Sequence, residues 1–304
     1  MAGRAITSNQ LVEAQLAAHL LELEKVAKAD CLVYVGPLAF GADDDIRDAL
    51  EVIDNKREKL IFMLQTGGGY AETARRIADT TRHHYKIVDF LVPNSAMSAG
   101  TILVMSGDAI HMDYHAILGP IDPQIEGPDG RLIPALGYVL RYEELLKKAK
   151  KGKISQAEMD ILLSFDQGQL YSYEQARDLS RALLEEWLVK YKFKDWNITE
   201  TRQMPVTPAM KRKRAKEIAR QLNNVKLWRS HGLGINMERL RTILNLKIDD
   251  FGSDRSLNAA VRPFHKLFID YMGRRRYFSA LQTRVDYQPL MIAAPRTYQM
   301  VAPN

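Results

Sequence analysis

Two serines in a turn of small residues are the first candidates for covalent chemistry. Residues 95–100 read Ser-Ala-Met-Ser-Ala-Gly and lie between an apolar run that ends at Val92 and a second apolar run, 101–105. This order predicts a buried strand that leads directly into a buried helix. A serine at a helix start suits acyl transfer, because free N–H groups there favour the anions that form. The stretch alone leaves open that Ser95 or Ser98 only caps the helix.

A run of three glycines, Gly67–Gly69, lies about thirty residues before Ser98. It follows the apolar stretch Leu60–Leu64 and precedes a helical pattern. Glycine allows a positive φ and a close approach of the backbone to a ligand. A strand, a glycine turn and a helix start can therefore hold an oxyanion or a phosphate. The phosphate-loop and dinucleotide motifs are absent, and a tight turn without a ligand remains the alternative.

Alternating apolar strands and amphipathic helices must position these two turns. Such alternation predicts a mainly parallel sheet with right-handed connections. Residues 8–28 form a further amphipathic helix, expected to pack on a partner subunit rather than to lie in a lipid surface. The predicted strands cover 31–36, 60–64, 86–92 and 109–113, and the predicted helices cover 71–84, 98–106, 136–151, 155–164, 168–192, 236–246 and 257–272.

Composition restricts the class of protein. The chain has 304 residues, a net charge of +6 and one cysteine, Cys31. A single cysteine excludes an internal disulfide framework and predicts a reducing, cytoplasmic location. No apolar run approaches the ~20 residues of a membrane span, and the signal-peptide pattern is absent. No metal or organic cofactor is expected, because the seven histidines form no HExxH motif.

Several motifs together resemble one known family. Gly68 and Ser98 have the order and spacing of the Clp-protease/crotonase superfamily, and Ser98–Thr101 resembles the nucleophile turn of Clp-like serine peptidases. The run 118–124, Leu-Gly-Pro-Ile-Asp-Pro-Gln, is similar to the serine dehydrogenase proteinase family of ClpP-class peptidases. Tyr-Glu-Gln-Ala-Arg at 173–177 and Ser-His-Gly at 230–232 extend the resemblance, which covers roughly 30–250.

The resemblance implies an α/β fold, with a ClpP/crotonase-like ββα spiral core and a helical C-terminal extension. The expected parts are an N-terminal helical arm over 1–29, a peptidase domain over 30–250 and the extension over 251–304. Members of the superfamily assemble into rings or stacked trimers, so a homo-oligomer is expected. The substrate would be a protein or peptide.

The resemblance also implies roles for individual residues. Ser98 would be the nucleophile, and the N–H groups of Gly68 and Ala99 would hold the oxyanion. The remaining glycines of the turn, Gly67 and Gly69, would contact substrate together with Pro120.

The proton acceptor departs from the family patterns. The place of the ClpP histidine falls at Pro120, and the place of a Ser–Lys lysine holds the apolar residues 134–136. His231 is then the first candidate base and His115 the second. Asp122 would orient a base or line the substrate groove, or it only stabilises its turn.

The favoured function is a serine endopeptidase of this family. One alternative is a crotonase-like acyl-thioester enzyme, and another is a non-catalytic adaptor of the same fold. An adaptor would use the basic stretch 211–229, which contains one acid, Glu217. This stretch could contact nucleic acid through phosphates. A solvated helix or a docking surface for an acidic partner is favoured, because no nucleic-acid-binding motif accompanies it.

Overall fold

A computed structural model of the chain describes residues 7–122, 124–126, 132–228, 230 and 232–292. The strands are β1 Asp30–Val35, β2 Lys59–Gln65, β3 Ile87–Leu91, β4 Ser95–Ala96, β5 Ala109–Met112, β6 Ile117–Leu118, β7 Gln124–Glu126, β8 Leu132–Pro134, β9 Ile235–Asn236, β10 Asp249–Asp250, β11 Tyr277–Gln282 and β12 Tyr287–Ile292. The helices are α1 Ser8–Ala27, α2 Ala42–Glu51, α3 Ala71–His84, α4 Ala99–Val104, α5 Ala135–Lys150, α6 Gln156–Leu163, α7 Gln167–Trp187, α8 Pro208–Leu222, α9 Val225–Trp228, α10 Met237–Thr242 and α11 Arg255–Arg275.

A seven-stranded sheet in the order β10-β5-β3-β2-β1-β11-β12 forms the centre of the protein. The strands from β10 to β1 are parallel, and β11 and β12 run antiparallel. The predicted strands at 31–36, 60–64, 86–92 and 109–113 are confirmed. They are continuous apolar runs because helices cover both faces of a parallel sheet.

The two faces of the sheet bury alternate residues of β2. Phe62 and Leu64 face a core completed by α2, α3, α4 and α7, whereas Ile61 and Met63 face α1 and α11. This alternation follows from the two-residue period of a strand. The carboxyl ends of the parallel strands are therefore held between two helical layers.

Helix α1 covers its own sheet. Its apolar residues Leu16, Leu20 and Leu23 are fully buried in the core that α11 completes. The hydroxyl of Tyr271 on α11 also donates to Glu13 Oε1 at 2.7 Å. The predicted helix is confirmed, but its apolar side packs within the chain instead of on a partner subunit.

The C-terminal region contributes strands as well as the predicted helix. Strand β11 pairs antiparallel with β1, where Val33 lies opposite Gln282. Arg284 anchors the hairpin that follows, since its Nη1 lies 2.5 Å from Oδ1 of the buried Asp30. The sequence predicted a helical extension over 251–304 with no strand, yet β12 runs from Tyr287 to Ile292 within it.

The helical stretch predicted from 136 to 192 is confirmed as α5, α6 and α7, with a π-helical turn at Leu188–Lys192. Helix α7 buries Leu183, Leu184 and Trp187 against the main core. In the part of the chain that the structure describes, no helix is both long and apolar enough to cross a membrane.

Candidate active site

A small second sheet brings the predicted turns together at the carboxyl ends of β2 and β3. Strand β4 pairs with β6, which pairs with β9. The glycine turn joins this sheet through Thr66, whose N–H donates to Ser95 O at 2.9 Å and whose carbonyl accepts from Met97 N–H at 3.0 Å. The main chain just before Ser98 is therefore fixed to the main chain just before the glycine turn.

Ser98 stands directly before α4 with an unusual backbone, φ 50° and ψ −117°. This region is sparsely populated by residues with a β-carbon and costs about 1–3 kcal/mol. The Ser98 side chain makes no capping hydrogen bond to the helix. Ser95 lies in β4, away from the helix start. The alternative that one of these serines is only the helix cap is therefore not supported by the geometry.

Two glycines pack closely against Ser98. A β-carbon at Gly68, which has φ +109°, would lie 2.9 Å from Ser98 Cβ and 3.0 Å from Met97 O. A β-carbon at Gly119 would lie 3.0 Å from Ser98 N and 2.9 Å from Met97 Cε. The glycine turn, the serine turn and the loop after β6 thus meet at Ser98.

Two buried threonines hold these three segments. The Thr101 hydroxyl accepts from Gly119 N–H at 2.9 Å and lies 2.7 Å from Ala96 O, its acceptor. The Thr66 methyl fills the space beside Gly100, where a β-carbon would lie 2.3 Å away. The sequence did not single out Thr66, Thr101 or Gly119, although the Gly119-Pro120 pair does indicate a turn.

The N–H groups around Ser98 differ in one respect from the prediction that Gly68 and Ala99 would supply the free donors. The Gly68 N–H already donates to Thr66 Oγ1 at 3.0 Å. The N–H groups of Gly67, Gly69 and Ala99 have no acceptor among the described residues, and Gly68 supplies the close packing against Ser98.

The candidate proton acceptors are not brought to Ser98 by any described contact. His115 is exposed and its ring lies edge-on to Tyr114, with 6.2 Å between the ring centroids. Asp122 is buried, as is Pro120 beside Gly119. His231 lies outside the described residues. Ser98 Oγ hydrogen-bonds to no residue in the described part of the chain.

Helix α11 supports the two loops from behind. His265 Nε2 lies 2.7 Å from Oε1 of Gln65, which immediately precedes the glycine turn. Burial, and to a smaller extent the charge of Arg262, lowers the pKa of His265 to about 4. Arg262 forms an ion pair with the buried Asp113, which accepts from the N–H groups of residues 115 and 116. His265 and Arg262 therefore hold the two loops that reach Ser98.

A large cleft of about 1020 Å³ lies at the opposite edge of the sheet, by the amino end of β5. We call it the amino-end cleft; it is lined by the residues 192–204, 245–249 and their neighbours on α8 and α10. Burial lowers the pKa of Lys192 in this cleft to about 8, against the opposing charges of Asp249 and Asp89. Within the described ranges, no group of three or more His, Cys, Asp or Glu side chains is placed to bind a metal ion.

Comparison with known proteins gives matches of three kinds. Residues 42–156 match the profile of the ClpP-like SDH-type serine proteinase family. Two uncharacterized proteins of Methanocaldococcus jannaschii are similar: one is 30% identical over 148 residues, 45% of this chain and 49% of that protein, and the other is 36% identical over 64 residues, 21% and 22% of the two chains. The matched region thus spans about half the length of the first relative.

A solved structure is also similar, a mutant of the 1510-N membrane-bound stomatin-specific protease. The identity is 13%, the TM-score is 0.39, and the match covers 73% of this chain and 80% of that one. The matched family segment contains the glycine turn, Ser98 and the loop 119–122. The resemblance and the ClpP-like α/β fold predicted from the sequence are confirmed: residues 42–156, less than half of the chain, match the ClpP-like SDH-type serine proteinase family.

Proposed function

We propose that the protein is a serine peptidase with Ser98 as its nucleophile. The observation that carries this proposal is the backbone of Ser98, held at φ 50° and ψ −117° between Gly68 and Gly119. Strain of this kind persists only where the surroundings enforce it, and it clusters at functional sites. It places a half-buried hydroxyl at a helix start without using that hydroxyl as a cap.

The proposed reaction has two steps. Ser98 Oγ attacks the carbonyl carbon of the scissile peptide bond as its proton passes to a base. The C–N bond then breaks, the amine leaves with that proton, and an ester to Ser98 remains. Water attacks the ester, with the same base accepting a proton, and releases the acid and the free serine.

The oxyanion of both steps would be held by backbone N–H groups. The Ala99 N–H is adjacent to Ser98 and open, and the second donor comes from the glycine turn. Gly67 and Gly69 have open N–H groups in that turn, whereas the Gly68 N–H would have to share its hydrogen with Thr66 Oγ1. Two such donors typically contribute several kcal/mol to stabilising the transition state.

The base, the group that orients it and the residues of the peptide groove are proposed from the sequence. His231 is the proposed base and His115 its alternative, with the buried Asp122 as the orienting group. Gly67 and Pro120 would line the peptide groove next to Ser98. We further propose a cytoplasmic homo-oligomer; a native mass of only 34.6 kDa in solution would contradict the oligomer.

The assignment of the nucleophile is tested with a fluorophosphonate probe, which phosphonylates activated serines. Wild type should be labelled, Ser98→Ala should lose the label, and Ser95→Ala, from the same turn, should keep it. Intact mass and peptide mapping locate the label. Melting temperatures of the three proteins should agree within a few degrees, so that a loss of label is a loss of chemistry.

Cleavage is tested with the same three proteins on unstructured casein and on fluorogenic peptides. Wild type and Ser95→Ala should produce new amino termini, and Ser98→Ala should not. Labelling that survives in Ser98→Ala would reject Ser98. Absence of both labelling and cleavage in wild type would reject the peptidase and favour the adaptor or acyl-thioester alternatives.

A further inference from the structure

Helix α8 presents four positive side chains that have no partner in the protein. They are exposed, and no described residue forms an ion pair, a hydrogen bond or a cation–π contact with any of them. The other cations of the helix are engaged: Arg214 pairs with Glu217, and Lys211 donates to Lys194 O. We call these four the basic stripe: Arg212, Lys213, Lys216 and Arg220.

The basic stripe occupies one side of the helix. With 3.6 residues per turn, its members fall within an arc of about 100° and extend along about 12 Å of the axis. The opposite side is fixed in the core by Ala215, Ile218, Ala219 and Leu222. The only acid of the helix, Glu217, is taken by Arg214, so the stripe is not neutralised by its own helix.

The stripe is structurally continuous with the candidate active site. The carbonyl of Leu222, at the end of α8, accepts a hydrogen bond from Ile121 N–H at 3.2 Å. Ile121 follows the Gly119-Pro120 pair, and Gly119 is the residue that packs against Ser98 N. Arg220 therefore lies two residues before the carbonyl that contacts the loop forming one wall of the site.

We propose that the basic stripe docks an acidic, extended segment of the polypeptide substrate and leads the chain towards Ser98. This inference rests on the proposed peptidase function and adds a substrate class to it. The steps from Arg212 to Lys216 and from Lys216 to Arg220 are each about 6 Å along the helix axis. Alternate residues of an extended peptide are about 6.8 Å apart, so acids at every second position match the stripe.

An acidic polypeptide fits this surface better than a nucleic acid does. Four cations along about 12 Å fall short of the 6–10 phosphate contacts that make nucleic-acid binding strong and salt-dependent. The bond between Leu222 and Ile121 instead connects the stripe to a loop whose proposed role is to line a peptide groove.

The docking is tested first by binding, in the Ser98→Ala background so that no cleavage occurs. Two fluorescein-labelled peptides are compared by anisotropy, one with glutamate at alternate positions and one with glutamine in their place. The stripe variant carries Arg212→Gln, Lys216→Gln and Arg220→Gln. A control variant carries Lys147→Gln, Lys150→Gln and Lys151→Gln, which remove the same charge from exposed positions on α5 and its end.

We expect the glutamate peptide to bind at least about tenfold more tightly than the glutamine peptide, and the stripe variant to lose this preference. The control variant should keep it, and added salt should weaken it, because exposed charges are screened. Equal binding of the two peptides, or equal binding by the stripe and control variants, would overturn the docking. Displacement of the peptide by single-stranded RNA at lower concentration would also overturn it, in favour of nucleic acid.

Cleavage separates this inference from the proposed function. With active serine, kcat/KM should be higher for a substrate with the alternating-glutamate segment than for its glutamine counterpart, mainly through KM. Equal kcat/KM for both substrates would overturn the docking and leave the peptidase in place. Binding through the stripe with no cleavage of either substrate would overturn the peptidase while leaving the contact itself established.

Discussion

The two edges of the central sheet are built in opposite ways. At the carboxyl edge, Ser98 is enclosed by backbone, with glycines packed against it and peptide N–H groups left open. At the amino edge, side-chain charges dominate: Asp108 pairs with Arg82 and Lys194, and the amino-end cleft of about 1020 Å³ opens beside them. The amino-end cleft is therefore not where the strained backbone lies.

This contrast shows which structural features indicate a catalytic site. A cleft lined by paired charges can be produced by the way helices end over a sheet. In contrast, a positive φ at a non-glycine residue packed between two glycines persists only where several segments of the chain enforce it. This supports our proposal that the reaction takes place at the carboxyl edge, where parallel sheets generally bind their ligands.

The strongest expected effect is at Gly68. Gly68→Ala would place a methyl group 2.9 Å from Ser98 Cβ, and the resulting displacement of Ser98 should lower kcat by about 10²-fold. Gly41→Ala is the matched control, because Gly41 has a similar φ of +95° with nothing within 4 Å of the new β-carbon. Both variants should lose about 1 kcal/mol through the positive φ. Equal kcat in the two variants would contradict the close packing at Ser98.

Next in size is the loss of the buried ion pair at the amino edge. Asp108 Oδ2 accepts from Arg82 Nη1 at 2.6 Å and from Val88 N–H at 2.8 Å. Asp108→Asn should reduce the free energy of unfolding by about 3–5 kcal/mol, because Arg82 is left without its counter-charge. Fluorophosphonate labelling of the folded fraction should be unchanged.

Urea titrations measure that difference. Asp178→Asn provides the control, since Asp178 pairs with Arg177 at the surface and should contribute less than about 1 kcal/mol. A reduced labelling rate in folded Asp108→Asn would show that the two edges are coupled.

A smaller effect is expected from pH. The pKa of His265 is about 4 in the folded protein, against an ordinary value of 6.5. Between these values the unfolded state binds the extra proton, so stability is complete above pH 6.5 and decreases as the pH falls towards 4. The decrease in unfolding free energy that His265 causes over this range should be about 3 kcal/mol. His265→Asn should show a shallower decrease in unfolding free energy over this range, and parallel curves would contradict the shift.

The smallest effect concerns Lys192. Because burial lowers its pKa to about 8, a large fraction of this amine is neutral at pH 8. We expect acylation by an N-hydroxysuccinimide ester roughly ten times faster than at the exposed Lys147. Peptide mapping by mass spectrometry compares the two lysines in one sample. Equal acylation rates of Lys192 and Lys147 at pH 8 would show that Lys192 is an ordinary lysine.

Much of the carboxyl edge could be predicted from the sequence. Long apolar runs mark the buried strands, and the turns at Gly67–Gly69 and Ser98 follow two of them directly. The packing of Gly119 on Ser98 could not be predicted, because it depends on how β6 pairs with β4. An open N–H was expected at Gly68, but that N–H donates to Thr66 Oγ1, since a single peptide plane decides which N–H meets Thr66.

The antiparallel strand β11 was missed for a related reason. Its partner is β1, and the short run Tyr277–Gln282 has no periodic pattern that distinguishes it from a loop. Likewise α1 reads as an exposed amphipathic arm until α11 is known to lie against it. Contacts between segments distant in the chain leave little trace in local composition.

The pairing of β1 with β11 has a consequence for biosynthesis. Val33 and Gln282 are about 250 residues apart, so a nascent chain must expose one edge of β1 until β11 has left the ribosome. Closing so long a loop is slow, and an unpaired strand edge invites association with other chains. We therefore expect ribosome-bound chains that lack β11 to bind chaperones, and release of β11 to be the event that ends this dependence.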